Sequence, residues 1–473
     1  MRKQNRSPYI SWEGKETQPK PEKRVGGYRS VQIGVFFAAL FLLAAVSWII
    51  PLHPKTSEAE KRDLAQFPSF SWAALTSGDY FDDINTWFAD TFPFRDVYVS
   101  LNGQFKALLS PSGTTVHGEV GQGDEIPDQP VTPPADDAST QEPFDGEETD
   151  PSANGEEEPS HEIEEPDMTD VPVETLGAIL IAGDTAYEYY NFSQSAADAY
   201  TAAVNKAASQ LAGKANVYDM IVPTSMDITL PASVRKSVNS SDQRKALDYM
   251  YGSLSETVRK VDVYDTLRNH RDKYIYFRTD HHWTALGAYY AYQDYCKARG
   301  TVPADLEKDF TSVEYPGFLG SFYSDSGKNA ALAGGDTVTA YKPNDTNSLR
   351  FTASDGSSVQ WMVVSDVSTW NASSKYSCFI GGDNPWTVIE NPNKTDGSTC
   401  IVVKESFGNA FVPFLVPDYQ KVYVVDYRYI SKVKSEKLAA LVEETGATDV
   451  LFLNNVSATR NESLMKALSS LVG

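Results

Sequence analysis

The chain has 473 residues, enough for more than one folded unit, and a formal charge of −23. Residues 111 to 173 hold nineteen Asp and Glu and no Lys or Arg, so the remainder of the chain carries only −4. The folded part is therefore mildly acidic, and nucleic acid is not an expected partner.

The first 50 residues predict a membrane anchor. Residues 1 to 30 contain eight Lys and Arg against three Glu, and residues 31 to 50 form an uncharged, mostly apolar run of twenty. That run has the length of one bilayer crossing, and the basic flank predicts a cytoplasmic N-terminus with the rest of the chain outside. The alternative is a cleaved signal peptide with a small-residue site at Ala45-Val46-Ser47.

Two different segments follow the anchor. Residues 51 to 110 include a stretch with helical spacing of apolar residues, broken at Pro93, and predict a helical segment that packs on the catalytic domain. Residues 111 to 173 are rich in Pro, Gly, Asp, Glu and Ser and cannot bury enough apolar surface to fold. We expect a disordered acidic linker or insertion there, with an interaction tail as the alternative.

From residue 174 to 473, apolar strands alternate with helices. The predicted strands are 177–182, 217–223, 261–264, 274–277, 401–403, 422–425 and 450–453. The predicted helices are 193–211, 242–259, 284–297, 407–416, 432–445 and 460–471. This order predicts an α/β domain with a mostly parallel sheet flanked by helices. Residues 303 to 397, with Asp-Gly turns and short alternating runs, interrupt the rhythm and predict an inserted antiparallel β-rich segment.

The three cysteines do not indicate a framework of disulfides or a metal site. Cys296, Cys378 and Cys400 show no C-x-x-C spacing and are expected to be buried small hydrophobes. One disulfide, Cys378 with Cys400, is the alternative. No cofactor is predicted.

Ser406 is a candidate nucleophile because it directly follows the predicted strand at residues 401–403. In open α/β sheets, ligands bind beyond the carboxyl ends of the strands. A helix beginning near Phe407 would place the Ser406 N–H at its N-terminus, which suits an oxyanion hole, and Gly408 would let another chain approach closely. The structural alternative is that Ser406 only caps the helix.

His282 is the candidate base. Only His270, His281 and His282 lie outside the tail, linker and membrane flank, and His270 lies in a polar turn. Asp280 and His282 have Asp-x-His spacing at a predicted strand-to-helix junction, so both can face one cleft while His281 points elsewhere. Asp280 can hold His282 in the tautomer that accepts the Ser406 proton.

Two further interpretations apply to the same stretch. In the catalytic interpretation, Trp283 would supply an apolar wall that excludes water. In the structural alternative, Asp280 would only cap a helix beside a partly buried His282. A metal pair is disfavoured because adjacent histidines rarely ligate one ion and no third ligand has useful spacing. The predicted site therefore contains no metal.

The stretch Thr279-Asp280-His281-His282-Trp283-Thr284 resembles the signature of the DHHW family of bacterial membrane-anchored proteins. It is also similar to the Asp-x-His-Trp motif of the alginate O-acetylation proteins of the SGNH-hydrolase superfamily. The resemblance extends from the segments at 60–64 and 90–95 to about residue 455. It implies an SGNH-like fold with Ser406 as nucleophile, His282 as base and Asp280 as its orienter.

Two features depart from that pattern. Glu405 stands where Asp is expected before the serine, and His281 occupies the variable place in Asp-x-His. The glycine and asparagine blocks of the superfamily cannot be assigned. The candidates for the oxyanion hole and substrate contacts are Gly320-Ser321, Gly382-Asp383-Asn384, Gly408, Asn409 and Trp283.

The leading functional hypothesis is an extracytoplasmic, membrane-anchored O-acetyltransferase that acts on a cell-surface polysaccharide. The resemblance implies a membrane-bound O-acyltransferase as donor partner, because acetyl-CoA is cytoplasmic. One alternative is a polysaccharide O-acetylesterase with the same triad, in which water replaces the sugar. Another is a non-catalytic envelope scaffold. The acceptor polymer, the acyl group and the oligomeric state do not follow from the sequence.

Overall fold

A computed structural model describes residues 56–57, 62–63, 66–70, 80, 84, 87–88, 91, 123–127, 173–176, 179–235 and 238–473. The predicted basic tail (1–30), the predicted anchor (31–50) and most of the segments 51–110 and 111–173 lie outside these residues. Within the described residues, no helix combines the length and apolarity needed to span a bilayer.

The chain divides into two compact units, residues 1–102 and residues 103–473. In the first unit, two short strands pair antiparallel, Thr56 with Asp63 and Ser57 with Arg62. Every other element given below belongs to the second unit, which contains the whole candidate site.

The described strands β1 to β15 are, in chain order, Thr56–Ser57, Arg62–Asp63, Val173–Leu176, Ile179–Ala182, Thr185–Glu188, Asn216–Val222, Val258–Lys260, Phe310–Phe318, Asp336–Pro343, Ser348–Thr352, Ser358–Met362, Trp386–Glu390, Thr399–Lys404, Lys421–Asp426 and Asp449–Asn455. The described α-helices α1 to α10 are Gln194–Leu211, Ser225–Ile228, Ala232–Arg235, Gln243–Gly252, Tyr264–Asn269, Ala285–Arg299, Ser321–Asp325, Gly408–Phe411, Leu438–Thr445 and Glu462–Val472. Short 3-10 helices occupy Ala330–Leu332, Ala372–Cys378, Val412–Leu415, Ile430–Lys432 and Ala458–Arg460.

A mixed sheet forms the centre of the second unit. Within the described residues, its eight strands have the order β11-β10-β12-β14-β13-β15-β6-β7. Strands β14, β13, β15, β6 and β7 are parallel, whereas β12, β10 and β11 add to the β14 side in antiparallel pairings. The predicted mostly parallel sheet therefore describes five of the eight observed strands.

The antiparallel strands β10, β11 and β12 come from the segment predicted as a β-rich insertion, 303–397. Three of its strands extend the main sheet, and only β8 and β9 form a separate two-stranded pair. This segment is thus structurally continuous with the central sheet. The apolar run at 177–182 also differs from the expectation, because β4 lies in a separate antiparallel sheet with β3 and β5.

The sheet is buried on both faces, which explains the unbroken apolar runs of its central strands. Along β13, Cys400 and Val402 belong to one buried cluster, and Ile401 and Val403 belong to the other. Helix α6 contributes to the first cluster, and α1, α4, α9 and α10 contribute to the second. This two-sided packing places the carboxyl ends of β13, β14, β15 and β6 at one edge of the sheet.

Two sequence predictions near the candidate site are wrong in detail. Residues 274–277 form no strand, and only Tyr276 makes an isolated antiparallel bridge, to Trp283. Residues 261–264 follow the short strand β7 and lead into α5. The backbone of this segment bonds locally instead, because the N–H of Phe277 donates to the carbonyl of His282 at 3.2 Å and the N–H of Thr284 donates to the carbonyl of Ile275 at 2.9 Å. All three cysteines are free and buried.

Candidate active site

Ser406 lies in a tight turn between β13 and α8, just beyond the carboxyl end of a fully buried strand. The N–H of Gly408 donates to the carbonyl of Glu405 at 3.1 Å, and that of Asn409 donates to the carbonyl of Ser406 at 3.1 Å. Helix α8 has only four residues and continues as a 3-10 helix. Within the described part of the chain, the N–H of Ser406 donates to no protein acceptor.

Ser406, His282 and Asp280 form a continuous line of hydrogen bonds. The Oγ of Ser406 lies 2.7 Å from Nε2 of His282, and Nδ1 of His282 lies 2.5 Å from Oδ1 of Asp280. The same Oδ1 accepts the backbone N–H of His282 at 3.0 Å. A hydroxyl, an imidazole and a carboxylate are thus connected over 124 residues of sequence, within the distances that proton transfer needs.

The charge on Asp280 fixes the tautomer of His282. Burial by itself would raise the pKa of Asp280, but His282, His281 and the N–H of Ser321 hold that pKa well below its ordinary value. An ionised Asp280 can only accept, so Nδ1 of His282 carries the proton and Nε2 is left to accept from the Ser406 hydroxyl. This is the arrangement of a serine paired with its general base.

The ring of His282 is held in place by aromatic neighbours. Tyr376 stacks on it with ring centroids 4.0 Å apart and an interplanar angle of 16°. The hydroxyl of Tyr376 donates to the carbonyl of Ser406 at 3.0 Å, so one side chain contacts both the histidine and the serine turn. Tyr376 comes from the segment predicted as an insertion and was not identified from the sequence, because only the fold brings it to the site.

The loop at 278–284, which carries Asp280 and His282, is held by side chains of other segments. Asp336 at the start of β9 accepts the N–H of Thr279 at 2.8 Å and its hydroxyl at 2.6 Å. The indole N–H of Trp283 donates to the carbonyl of Phe407 at 3.0 Å, and this directly joins the histidine loop to the serine turn. Thr284 caps α6 through the N–H of Gly287 at 3.4 Å.

Gly320 and Ser321 support Asp280. A Cβ at Gly320 would lie 2.2 Å from the Cβ of Asp280, so only glycine fits at this approach. The N–H of Gly320 donates to Oγ1 of Thr279 at 3.1 Å, and the N–H of Ser321 donates to Oδ2 of Asp280 at 2.8 Å. Both backbone donors, which the sequence analysis considered for an oxyanion hole, are thus engaged in holding the aspartate loop.

Gly408 and Asn409 connect the serine turn to the side chains of Lys404 and Asp383. A Cβ at Gly408 would lie 2.7 Å from the Cβ of Lys404, so the turn packs tightly on that side chain. The amide of Asn409 donates to Oδ1 of Asp383 at 2.8 Å. Trp283 is fully buried beneath the loop and does not belong to the wall of the cleft described below.

A buried ion cluster lies under the turn. Lys404, with a fully buried side chain, lies 2.9 Å from Asp426 and 3.3 Å from Asp383. Arg428 contacts the same two carboxylates at 2.6 and 3.0 Å. Burial would raise the pKa of Asp383, but Lys404 and Arg428 hold that pKa far below its ordinary value. The cluster pairs every charge it buries and joins β13 to β14 at the site.

Glu405 was noted in the sequence only as a departure from Asp, yet it is central to the turn. Its Oε1 accepts the N–H of Asn455 at 2.9 Å, and its Oε2 accepts the N–H of Phe407 at 3.2 Å. The same Oε2 lies 3.2 Å from Oγ of Ser406, whose single proton is directed to His282. Burial raises the pKa of Glu405, with Arg428 acting against the shift. The carboxylate therefore connects the ends of β13 and β15 beside the serine.

The serine opens into a cleft of about 660 Å³. The other lining side chains mix apolar, hydroxyl, amide and charged groups, among them Glu188, His281, Ser321, Phe322, Asp325, Glu405, Phe407, Arg428, Asn455, Ser457, Arg460 and Leu464. A cleft of this size accommodates a sugar unit or a small ester beside Ser406.

His281 lies in this cleft, which corrects the prediction that it points elsewhere. Its side chain is 35% exposed, against 7% for Asp280 and 7% for His282. Its Nδ1 lies 2.7 Å from Oγ of Ser321, and its ring centroid lies 3.9 Å from that of His282. The irregular backbone of the loop, which is not a strand, removes the alternation on which the prediction relied.

Asp280, His281 and His282 also bring donor atoms within 4.8 Å of one another, close enough to consider a cation. These atoms are engaged in hydrogen bonds, Asp280 with His282, His282 with Ser406, and His281 with Ser321. A cation there would have to replace the contacts that connect the imidazole to the serine. The arrangement therefore suits acid–base chemistry at a hydroxyl better than metal binding.

Most of the chain matches a known protein family. Residues 60–139 and 154–425 match the sequence model of a family described as DHHW protein. A search of curated proteins found no match. A crystal structure of a DHHW family protein from Eubacterium siraeum is 27% identical, with a TM-score of 0.58, and the alignment covers 64% of this chain and 99% of that one.

Bacillus cereus PatB1 shares the fold at lower identity. Its structure with a sulfonyl adduct is 19% identical with a TM-score of 0.51 and covers 61% of this chain and 99% of PatB1. A second PatB1 structure is 20% identical with a TM-score of 0.50. The family match spans most of the chain and includes the Asp280–His282 stretch and Ser406. The chain therefore belongs to the DHHW protein family.

Proposed function

We propose that this DHHW protein is an SGNH-type serine acyltransferase that moves an acetyl group onto a hydroxyl of a cell-surface polysaccharide. The observation that supports this most strongly is the hydrogen-bonded line from Ser406 through His282 to Asp280, at the mouth of a cleft of about 660 Å³. The chain order of these residues, with Asp and His before Ser, is the order of the permuted SGNH proteins that the sequence resembles.

The first half of the reaction forms an acyl-enzyme. His282 Nε2 takes the proton of Ser406 Oγ as that oxygen bonds to the carbonyl carbon of an acetyl ester. The carbonyl electrons move to oxygen, and the unused N–H of Ser406 is the donor we assign to that oxyanion. When the oxyanion collapses, the donor oxygen leaves and takes the proton from His282, and the acetyl group stays on Ser406.

The second half reverses the roles of these groups. A sugar hydroxyl gives its proton to His282 Nε2 while its oxygen bonds to the acetyl carbon. The bond from that carbon to Ser406 Oγ then breaks, and the serine oxygen recovers the proton from His282. Asp280 stays ionised throughout and stabilises the imidazolium that forms in each half.

The setting of this reaction is also proposed. With residues 31–50 as a membrane anchor, the cleft would lie outside the cytoplasm, where acetyl-CoA is absent. The donor would then be an acetyl unit carried across by a membrane-bound O-acyltransferase. The alternative is an O-acetylesterase, in which water takes the place of the sugar at the same three residues.

The direct test measures the release of p-nitrophenol from p-nitrophenyl acetate, the acetyl donor, by the unaltered protein and by the variants Ser406→Ala and His282→Ala. We expect release of p-nitrophenol by the unaltered protein and a loss of about a thousandfold in each variant. Transfer of acetyl to an added glycan supports the transferase, and release of free acetate alone supports the esterase. Equal turnover in all three proteins would favour the non-catalytic scaffold.

A covalent probe provides an independent check. One PatB1 structure contains a sulfonyl adduct, and sulfonyl fluorides react with activated hydroxyl groups. We expect a sulfonyl fluoride to modify Ser406 in the unaltered protein and to leave the His282→Ala variant unmodified. Modification of both proteins at equal rates would mean that His282 does not activate Ser406.

A further inference from the structure

His281 lies in the cleft but has no part in the acyl transfer described above. Its side chain is 35% exposed, whereas those of Asp280 and His282 on either side are 7% exposed. The same cleft is lined by Ser406 and Ser321. A polar ring beside the reacting serine is positioned to touch whatever enters the cleft.

The ring of His281 is fixed at one of its two nitrogens. Its Nδ1 lies 2.7 Å from Oγ of Ser321, and the Ser321 backbone is itself held by Asp280 at 2.8 Å. The ring also lies against that of His282, with centroids 3.9 Å apart and an interplanar angle of 35°. Within the described residues no group bonds to Nε2 of His281, which leaves that nitrogen to a ligand.

The charge of the His281 side chain favours a neutral ligand. Partial burial lowers the pKa of His281, and the nearby His282 lowers it further. A neutral imidazole has one donor and one acceptor, so with Nδ1 bonded to Ser321 it can still exchange one hydrogen bond with a hydroxyl. It does so without placing a second positive charge beside His282, which becomes charged during the reaction.

The arginines of the cleft already hold carboxylates. Arg460 contacts Glu188 at 2.9 Å, and Arg428 contacts Asp426 and Asp383. Glu405 and Asp325 add further acidic groups to the lining. In the described lining, the cations are therefore matched by anions, and a neutral polyol fits this surface better than an anionic sugar.

We propose that His281 binds the acyl acceptor by holding a second hydroxyl next to the one that His282 deprotonates. This inference rests on the acyl-transfer function proposed above and specifies its acceptor as a neutral sugar with neighbouring free hydroxyls. The two imidazole rings come from consecutive residues and have centroids 3.9 Å apart. Nε2 of His282 is directed to Ser406, and Nε2 of His281 has no partner among the described residues.

The bonds made and broken do not change with this addition. The attacked hydroxyl loses its proton to His282 Nε2 and gains the acetyl group, and Ser406 recovers its proton. The neighbouring hydroxyl stays intact and only forms a hydrogen bond with His281. Its contribution should be that of one neutral hydrogen bond, about fivefold in the rate of transfer.

The test compares two small acceptors that both enter the cleft, ethane-1,2-diol and ethanol. Both are supplied at equal concentration with p-nitrophenyl acetate as donor, and the two acetate esters are quantified by chromatography. The initial burst of p-nitrophenol counts the acyl-enzyme formed on Ser406. The ratio of diol ester to ethyl ester then measures preference for an acceptor with a second hydroxyl.

Three variants separate the hydrogen bond from the ring. His281→Phe keeps a flat ring against His282 but removes the nitrogens, and His281→Gln retains a polar group near the position of Nε2. Ser321→Ala removes the hydroxyl that fixes Nδ1 and keeps the backbone N–H that holds Asp280. We expect the diol preference to fall about fivefold in His281→Phe, to survive in His281→Gln and to fall partly in Ser321→Ala.

The outcomes distinguish this inference from the proposed function. A normal burst with a lost diol preference in His281→Phe supports acceptor binding by His281. A normal burst with an unchanged preference in both His281→Phe and Ser321→Ala overturns it and leaves the proposed function standing. An unaltered protein that releases no p-nitrophenol above the uncatalysed background overturns both, and should His281→Phe fail to fold, Ser321→Ala gives the decision.

Discussion

The two segments that meet at the site are held by different forces. The Ser406 turn follows β13, a strand buried on both faces, and lies on the ion cluster of Lys404 and Arg428. The Asp280–His282 loop has no strand of its own and is held by side chains from other segments, chiefly Asp336. The nucleophile is therefore positioned by a strand of the central sheet, and the base by contacts that come from several other segments.

This difference predicts two patterns of damage. Changes beneath the serine should cost stability first, because they leave charges buried in the sheet. Changes in the support of the histidine loop should cost activity out of proportion to stability, because a small displacement of the base weakens proton transfer. The following experiments are arranged from the largest expected effect to the smallest.

His282→Ala should lower turnover of p-nitrophenyl acetate by about a thousandfold, because it removes the group that takes the Ser406 proton. The matched control is His270→Ala, whose ring stacks on Tyr290 and does not line the cleft. Steady-state kinetics should show the control within about twofold of the unaltered protein. Equal losses in both variants would show that general damage, and not loss of the base, lowers activity.

Lys404→Met should destabilise the protein by about 2–3 kcal/mol, because Asp426 and Asp383 lose a fully buried partner and keep only Arg428. The control is Lys421→Met on β14, whose partner Glu390 is 61% exposed and whose loss should cost about 1 kcal/mol or less. Urea unfolding measures both. If the two variants unfolded at the same urea concentration, the ion cluster would not support the serine turn.

Asp336→Asn should lower activity about tenfold while costing about 2 kcal/mol of stability, because the Thr279 donors lose a charged acceptor. Asp345→Asn is the control, since Asp345 accepts from the amides of Asn391 and Asn393 and makes no bond to the histidine loop. Kinetics and urea unfolding are measured on the same samples. A loss of stability without a loss of activity would mean that Asp336 does not position the base.

Acid should remove the contribution of Asp280 to stability. Its pKa is held below the ordinary value in the folded protein, so its contribution is present above about pH 4, the ordinary value for Asp, and is lost as the pH falls further. The difference in unfolding free energy between the unaltered protein and Asp280→Asn should therefore be constant above about pH 5 and shrink steadily as the pH falls below about 4. A difference that stays constant with pH would show that Asp280 is not stabilised as a carboxylate.

Much of the domain could be predicted from the sequence because its central strands are buried on both faces. The runs at 401–403, 422–425 and 450–453 are apolar without interruption, and each lies inside an observed strand. The Asp-x-His spacing and the position of Ser406 after a strand singled out three side chains that the structure places within hydrogen-bonding distance. Local sequence patterns were therefore sufficient to predict these three strands and these three side chains.

Other features depend on contacts that local patterns do not encode. Strands β10 to β12 join the main sheet through pairings across the fold, and their short runs gave no sign of the partner. Glu405 acquires its role only when β15 lies beside the serine turn, and Tyr376 only when the 3-10 helix at Ala372–Cys378 reaches that turn and His282. The prediction for His281 relied on a strand at 274–277, and that segment makes only an isolated bridge, from Tyr276 to Trp283.

The central claim is that Ser406 becomes acylated with the help of His282. The most direct measurement is mass spectrometry of peptides after brief exposure of the protein to p-nitrophenyl acetate and rapid quenching in acid. We expect one acetyl group on the peptide containing Ser406 in the unaltered protein and in the control Ser398→Ala, and none in Ser406→Ala or His282→Ala. An acetyl group on another residue, or equal labelling of Ser406 without His282, would contradict the claim.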